Sequence, residues 1–161
     1  MVKLSLDWHG DMKFSNSEGS PAIQLHSSTP GVASPPQALA YGVMACMAMD
    51  VVHVVQKSRK VLKSMTVKFE GERAHDQPKR FVWMALDFQI TGDVEDKVVQ
   101  RAIELSRTKY CSVWNTIRPD VELRTTFTVH REGQRAEGKG QRELRSFKSE
   151  VRPMKPVTYA F

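Results

Sequence analysis

From Gln37 to about Lys60 the chain has no proline, and apolar residues fill most of the stretch from Leu39 to Val55. This predicts a long helix. Ser34 supplies a capping hydroxyl, and Pro35 and Pro36 fall in the first turn, where their missing N–H groups do little harm. The only polar face comes late, at His53, Gln56, Lys57, Arg59 and Lys60, whose charges suit the C-terminal end of the helix dipole. A helix this apolar is buried on most of its circumference. The rest of the chain must therefore cover it, and no other feature constrains the fold as much.

The cover is written as strands. Val2, Leu4, Leu6 and Trp8 alternate with polar residues, the period of a half-buried strand. Asn16 to Gly19 is turn-like, Ala22 to His26 is strand-like, and Ser27 to Gly31 is a loop by composition. After the long helix, Met65, Val67 and Phe69 alternate. So do Val82, Met84, Leu86, Phe88 and Ile90, and the loop around Pro78 between the two runs makes them an antiparallel hairpin. Asp93 caps a second helix with Glu95 and Asp96 in its first turn. Its stripe runs Val99, Ala102, Ile103, Ser106, Tyr110, Val113 and Ile117 until Pro119 ends it, and Val121 to Val129 alternates as a last strand. Strands, long helix, hairpin, helix and strand make an α+β fold with a largely antiparallel sheet.

Two units follow from composition: a globular domain over residues 1–130 and a basic extension over 131–161. The extension holds eight Lys/Arg against four Asp/Glu, so +4 of the net charge of +6 lies there. Arg131 to Pro156 reads as mobile or loosely docked, with Val157 to Phe161 as an apolar anchor. The charge comes without zinc-finger spacing, helix-turn-helix signature or aromatic RNA-binding motif, which argues against nucleic acid as a partner. No GxGxxG or Walker pattern supports a nucleotide cofactor, and no cofactor is expected. No apolar run is expected to reach the roughly 20 residues that span a bilayer. The N-terminus lacks the basic head and apolar block of a signal peptide, making the cytoplasm the expected compartment. His9, His26, His53, His75 and His130 are scattered with no metal-ligand spacing, so no metal is expected.

The chemistry concentrates in the chain's two cysteines, Cys46 and Cys111, each inside a stretch that reads as helix. Cys46, Asp50 and His53 share one face of the long helix. A histidine there lowers a thiol pKa, whereas Asp50 raises it. On its segment alone Cys46 reads first as a packed small hydrophobe, the usual state of a free cysteine, and only second as a reactive thiol. Cys111 falls off the apolar stripe of its helix, a less ordinary place for a packed cysteine. A disulfide between the two requires Cα atoms within about 7 Å, which spacing does not establish.

Four passages together resemble the OsmC/Ohr family over roughly residues 2 to 130: Ser34-Pro35-Pro36-Gln37-Ala38-Leu39 leading to Ala45-Cys46; Met49-Asp50-Val51-Val52; Phe69-Glu70-Gly71-Glu72-Arg73-Ala74; and Ala102 to Ser106 running into Lys109-Tyr110-Cys111-Ser112-Val113. The Asp50 after Cys46 and the Tyr-Cys-Ser-Val string are most similar to the YhfA-like branch. The resemblance implies antiparallel sheets packed on two long central helices in an intertwined homodimer, with the cysteines near the subunit interface. A second subunit would also cover the far side of the apolar helix. In the family's peroxidases the cysteine matching Cys46 attacks the peroxide as a thiolate. The one matching Cys111 resolves the sulfenic acid to a disulfide, which a thiol reductant reopens.

Those peroxidases flank the thiol with a glutamate early in the helix and an arginine from the preceding strand or loop. Here Pro36 and Gln37 stand at the helix start, and no arginine precedes Arg59. His26, near the arginine position, and Lys13 are the cations available. Cys46 and Cys111 are thus the candidate catalytic pair, with His26, Gln37, Asp50 and His53 as candidate supports. Two functions follow. One is a thiol-dependent reductase of organic hydroperoxides held in an apolar pocket, of which Met44, Met47 and Met49 could form a wall if they are not core filler. The other is a non-catalytic protein on the same scaffold that binds an apolar small molecule or senses redox state.

Overall fold

The computed structural model describes residues 2–10, 14–16, 33–131 and 142–143. The described elements run β1 (Val2–Trp8), β2 (Phe14–Asn16), α1 (Pro35–Lys57), β3 (Val61–Arg73), β4 (Phe81–Asp93), α2 (Asp96–Leu105), a π-helical turn (Ser106–Tyr110), α3 (Ser112–Thr116), β5 (Glu122–His130) and β6 (Arg142–Glu143). The expected strand at Ala22 to His26 and the anchor at Val157 to Phe161 lie outside the described residues.

One six-stranded sheet forms in the order β2-β1-β3-β4-β5-β6. The β3–β4 hairpin is its centre and pairs antiparallel along nearly its whole length. Met65, Val67 and Phe69 of β3 point into the core opposite Met84, Leu86, Phe88 and Ile90 of β4. A register shift between Glu72 and Arg73 pairs Arg73 with Phe81 and Glu72 with Trp83, skipping Val82. Phe81 therefore takes the buried position expected of Val82, which is only half-buried.

The largely antiparallel sheet has one exception. β4 and β5 pair parallel, from Trp83 opposite Glu122 to Thr91 opposite His130. Parallel neighbours need a long crossover, and the segment carrying α2 and α3 is that crossover. It lies against α1 and brings Cys111 toward Cys46.

At the start of α1 the Ser34 N–H and Oγ–H both donate to Gln37 Oε1 at 2.8 Å. Ala40, Val43, Met44, Met47, Ala48, Val51, Val52 and Val55, at spacings of three and four, are fully buried. Tyr41, Ala45, Cys46 and Val54 pack half-buried along the flanks, and Leu39 on the opposite side is 42% exposed. The single chain thus covers the helix on the sheet side and partly beneath α2 and α3. By length and composition alone α1 could cross a bilayer, with a mean hydropathy of 1.8. That corrects the expectation that no apolar run reaches spanning length. In this fold 44% of that apolar stretch is buried within the chain.

Part of the extension is docked. Arg131 donates to the Val94 carbonyl and pairs with Asp96. Arg142 and Glu143 pair with Phe127 and Thr126 at the sheet edge.

Candidate functional site

Cys46 and Asp50 stand one helical turn apart on α1, so both side chains project from one face. Cys111 reaches them from the crossover. The expected continuous second helix is broken here. The Cys111 N–H donates to the Ser106 carbonyl at 2.9 Å, an i to i−5 bond, and Cys111 then adopts extended backbone as the N-cap of α3. The wide turn inserts one residue into the helical register. The stripe through Ser106 therefore continues at Cys111 rather than Tyr110. Tyr110 swings out to 45% exposure, and Cys111, expected off the stripe, has no exposed surface.

The two Sγ atoms and a carboxylate oxygen of Asp50 all lie within 4.8 Å of one another. Ser106, fully buried, donates its hydroxyl to Asp50 Oδ2 at 2.7 Å and fixes the carboxylate. The Trp114 N–H donates to Cys111 Sγ at 3.3 Å. Both thiols are free, Cys46 half-buried and Cys111 buried. Burial pushes the Cys111 thiol up to about 12. The hydrogen bond from its S–H to the Cys46 sulfur adds to this, as do negative charge at Cys46 and at Asp50, while the Trp114 amide opposes it. Cys111 is thus held as a thiol beside a more accessible partner sulfur.

The other expected site residues fare differently. Gln37 is committed to the helix cap. His53 is exposed and is not part of the Cys46–Asp50–Cys111 group. His26 and Lys13 lie outside the described residues. Met44 and Met47 have no exposed surface and are core, and only Met49 is half-buried, so the methionine pocket wall does not form within this chain. A separate open cleft of about 460 Å³, bounded by Val54, Lys57, Lys97, Arg101 and Tyr110 among others, contains neither cysteine.

Ser106 and the Trp114 amide were not anticipated. Ser106 carried a signal, being the one small polar residue on a stripe of otherwise apolar and aromatic side chains. The amide carried none, because its role depends on the backbone break at Cys111.

Comparison with known proteins matches residues 28–126 to the family described as "OsmC-like protein". The protein YhfA of Escherichia coli K12 is 35% identical over 97 residues, spanning 60% of this chain and 72% of the relative. A hypothetical protein of Aquifex aeolicus VF5 has a crystal structure that superposes with a TM-score of 0.64 at 27% identity, covering 82% of this chain and 98% of that one. The organic hydroperoxide resistance protein OsmC of Legionella pneumophila superposes with a TM-score of 0.55 at 20% identity, covering 80% and 98%.

Proposed function

Because this chain belongs to the OsmC-like protein family, we propose that it is a thiol redox protein that reduces organic hydroperoxides through Cys46 and Cys111. The observation that carries the reading is a pair of free sulfurs within 4.8 Å, one half-buried and one fully buried. The Cys46 thiolate attacks the terminal peroxide oxygen. The O–O bond breaks, the alkoxide leaves and takes a proton from water, and Cys46 becomes a sulfenic acid. Cys111 then attacks that sulfur. An S–S bond forms, the S–O bond breaks, and the thiol proton departs with the hydroxyl as water. A dithiol reductant returns both sulfurs to thiols.

The asymmetry suits this order. Two of the causes that hold Cys111 protonated are its hydrogen bond to Cys46 and negative charge there. Both weaken when Cys46 becomes a neutral sulfenic acid, while burial, the largest cause, remains, so the step that creates the target eases deprotonation of the resolver in part. The relative named for organic hydroperoxide resistance supports hydroperoxide as the substrate class. A homodimer follows from the same family reading, and the 42% exposed Leu39 on the uncovered side of α1 is the surface a second subunit would cover.

One observation favours a second reading, a redox sensor or small-molecule binder without efficient turnover. The charge set beside the sulfurs is the anion of Asp50, which opposes thiolate formation, and Gln37 is locked in the cap. Consumption of an organic hydroperoxide with dithiothreitol or a lipoylated protein as reductant separates the two. Turnover by the wild type no faster than by Cys46→Ser would overturn the reductase and leave the sensor.

A further inference from the structure

We propose that Cys46, Asp50 and Cys111 form a three-ligand site for a thiophilic divalent cation of the zinc class, with water as the fourth ligand. This goes beyond the redox reading and does not depend on peroxide turnover. Two thiolates and one carboxylate are a donor set that zinc and its congeners take in preference to calcium or magnesium. The residues are distant in sequence, but the break in the crossover helix delivers Cys111 to the one strip of α1 that carries both Cys46 and Asp50.

The distances fit. Zinc–sulfur bonds of about 2.3 Å and zinc–oxygen bonds of about 2.1 Å place tetrahedral donors about 3.6 to 3.8 Å apart. The three donor atoms already lie within 4.8 Å of each other. The gap between 4.8 Å and those spacings is about 1 Å. The surroundings also match what ligands of this kind need. The Ser106 hydroxyl orients the Asp50 carboxylate at 2.7 Å, and the Trp114 amide supports charge on the Cys111 sulfur at 3.3 Å.

Electrostatics points the same way. One carboxylate and two thiols that turn anionic on binding a cation converge here, and among the described residues Asp50 has no cationic partner. Binding exchanges thiol protons for the metal, up to two released per cation, so affinity rises with pH. Half-buried Cys46 gives the ion its way in. Metal and disulfide are mutually exclusive, since the same two sulfurs serve both. The loaded site therefore shields the thiols from peroxide, and oxidation expels the metal.

The test uses the reduced full-length chain titrated with cobalt(II), then with zinc as competitor. One cobalt per chain is expected, with thiolate-to-cobalt charge-transfer absorption and the intense visible bands of tetrahedral cobalt, all removed by zinc. Cys46→Ser and Cys111→Ser should each weaken binding at least about 100-fold, beyond the about 10- to 100-fold cost of losing an outer-shell partner. Asp50→Asn should weaken it about 10-fold, and the oxidised wild type should not bind. A wild-type spectrum without the charge-transfer band overturns the site, whatever the variants do. So does a band that persists at unchanged affinity in Cys46→Ser. The readout needs no turnover, so loss of the peroxidase reading and loss of this one are separately visible.

Discussion

Closing the Cys46–Cys111 disulfide is expected to stabilise the fold. The two cysteines are 111 − 46 = 65 positions apart. Cross-linking a loop of that length removes about 14.5 cal/mol/K from the unfolded chain, or about 4.3 kcal/mol at 25 °C. Against this stand the movement of the two sulfurs from within 4.8 Å to bonding distance and the loss of the Trp114 N–H···Sγ bond, about 1 kcal/mol. A net gain of about 3 kcal/mol remains, which in a chain of 161 residues raises Tm by about 6 to 12 °C. The assay is thermal and urea unfolding of protein reduced with dithiothreitol and protein oxidised by one equivalent of peroxide. Both are compared at one protein concentration, so that self-association does not shift Tm. Cys46→Ser and Cys111→Ser should show no difference between the two conditions. An oxidised wild type whose intrachain disulfide is verified by mass, yet melts no higher than the reduced form, refutes the reasoning. A purely interchain disulfide refutes the proximity itself.

Three further outcomes follow from the same structure. Cys111 in the fold holds its proton up to about 12 against an ordinary value of 9.0, so the folded state binds that proton more tightly than the unfolded one. Its contribution is complete below about pH 9 and is lost as pH rises toward 12, by up to about 4 kcal/mol at 1.36 kcal/mol per unit; urea unfolding against pH should therefore fall more steeply for the wild type than for Cys111→Ala. Gln37→Glu keeps both acceptor bonds to Ser34 and adds the first acidic charge to the opening turn of α1, so a gain of about 0.5 to 1 kcal/mol in chemical denaturation is expected, while Gln37→Ala loses about 1 kcal/mol. Gly92 has φ +155°, and a Cβ there would collide with the Val61 carbonyl oxygen beside the register shift between Leu62 and Ser64; Gly92→Ala should cost about 2 to 4 kcal/mol in the same measurement.

Much of the fold was legible in the chain. The start of α1 at Ser34-Pro35-Pro36, the β3–β4 hairpin and the last strand were readable because each follows from local pattern or capping chemistry. The family, too, was legible from four short passages. The two failures of facing share one cause. Val82 was assigned inward because period two was carried through a bulge, and Cys111 was placed off the stripe because period 3.6 was carried through a π turn. A single inserted residue reverses which side chain faces the core, and nothing in a periodicity reading marks where the insertion falls. The parallel pairing of β4 and β5 was missed for a related reason. Alternation shows that a strand has an inner face but leaves its direction beside a neighbour open.

By itself, then, the sequence determined the long apolar helix, the α+β class and the two cysteines as the candidate site, since these depend on composition and on contacts within a few residues. Only the tertiary structure decided that residues 46, 50 and 111 meet. It decided as well that Gln37 serves the cap while Ser106 holds the carboxylate. It made the two thiols unequal, leaving one half-buried and the other sealed and protonated. The physical reason is that a thiol's reactivity is set by burial and by the charges within a few ångströms of it. For Cys46 the decisive neighbour, Cys111, comes from a crossover 65 residues away, delivered by a backbone break that periodicity does not mark.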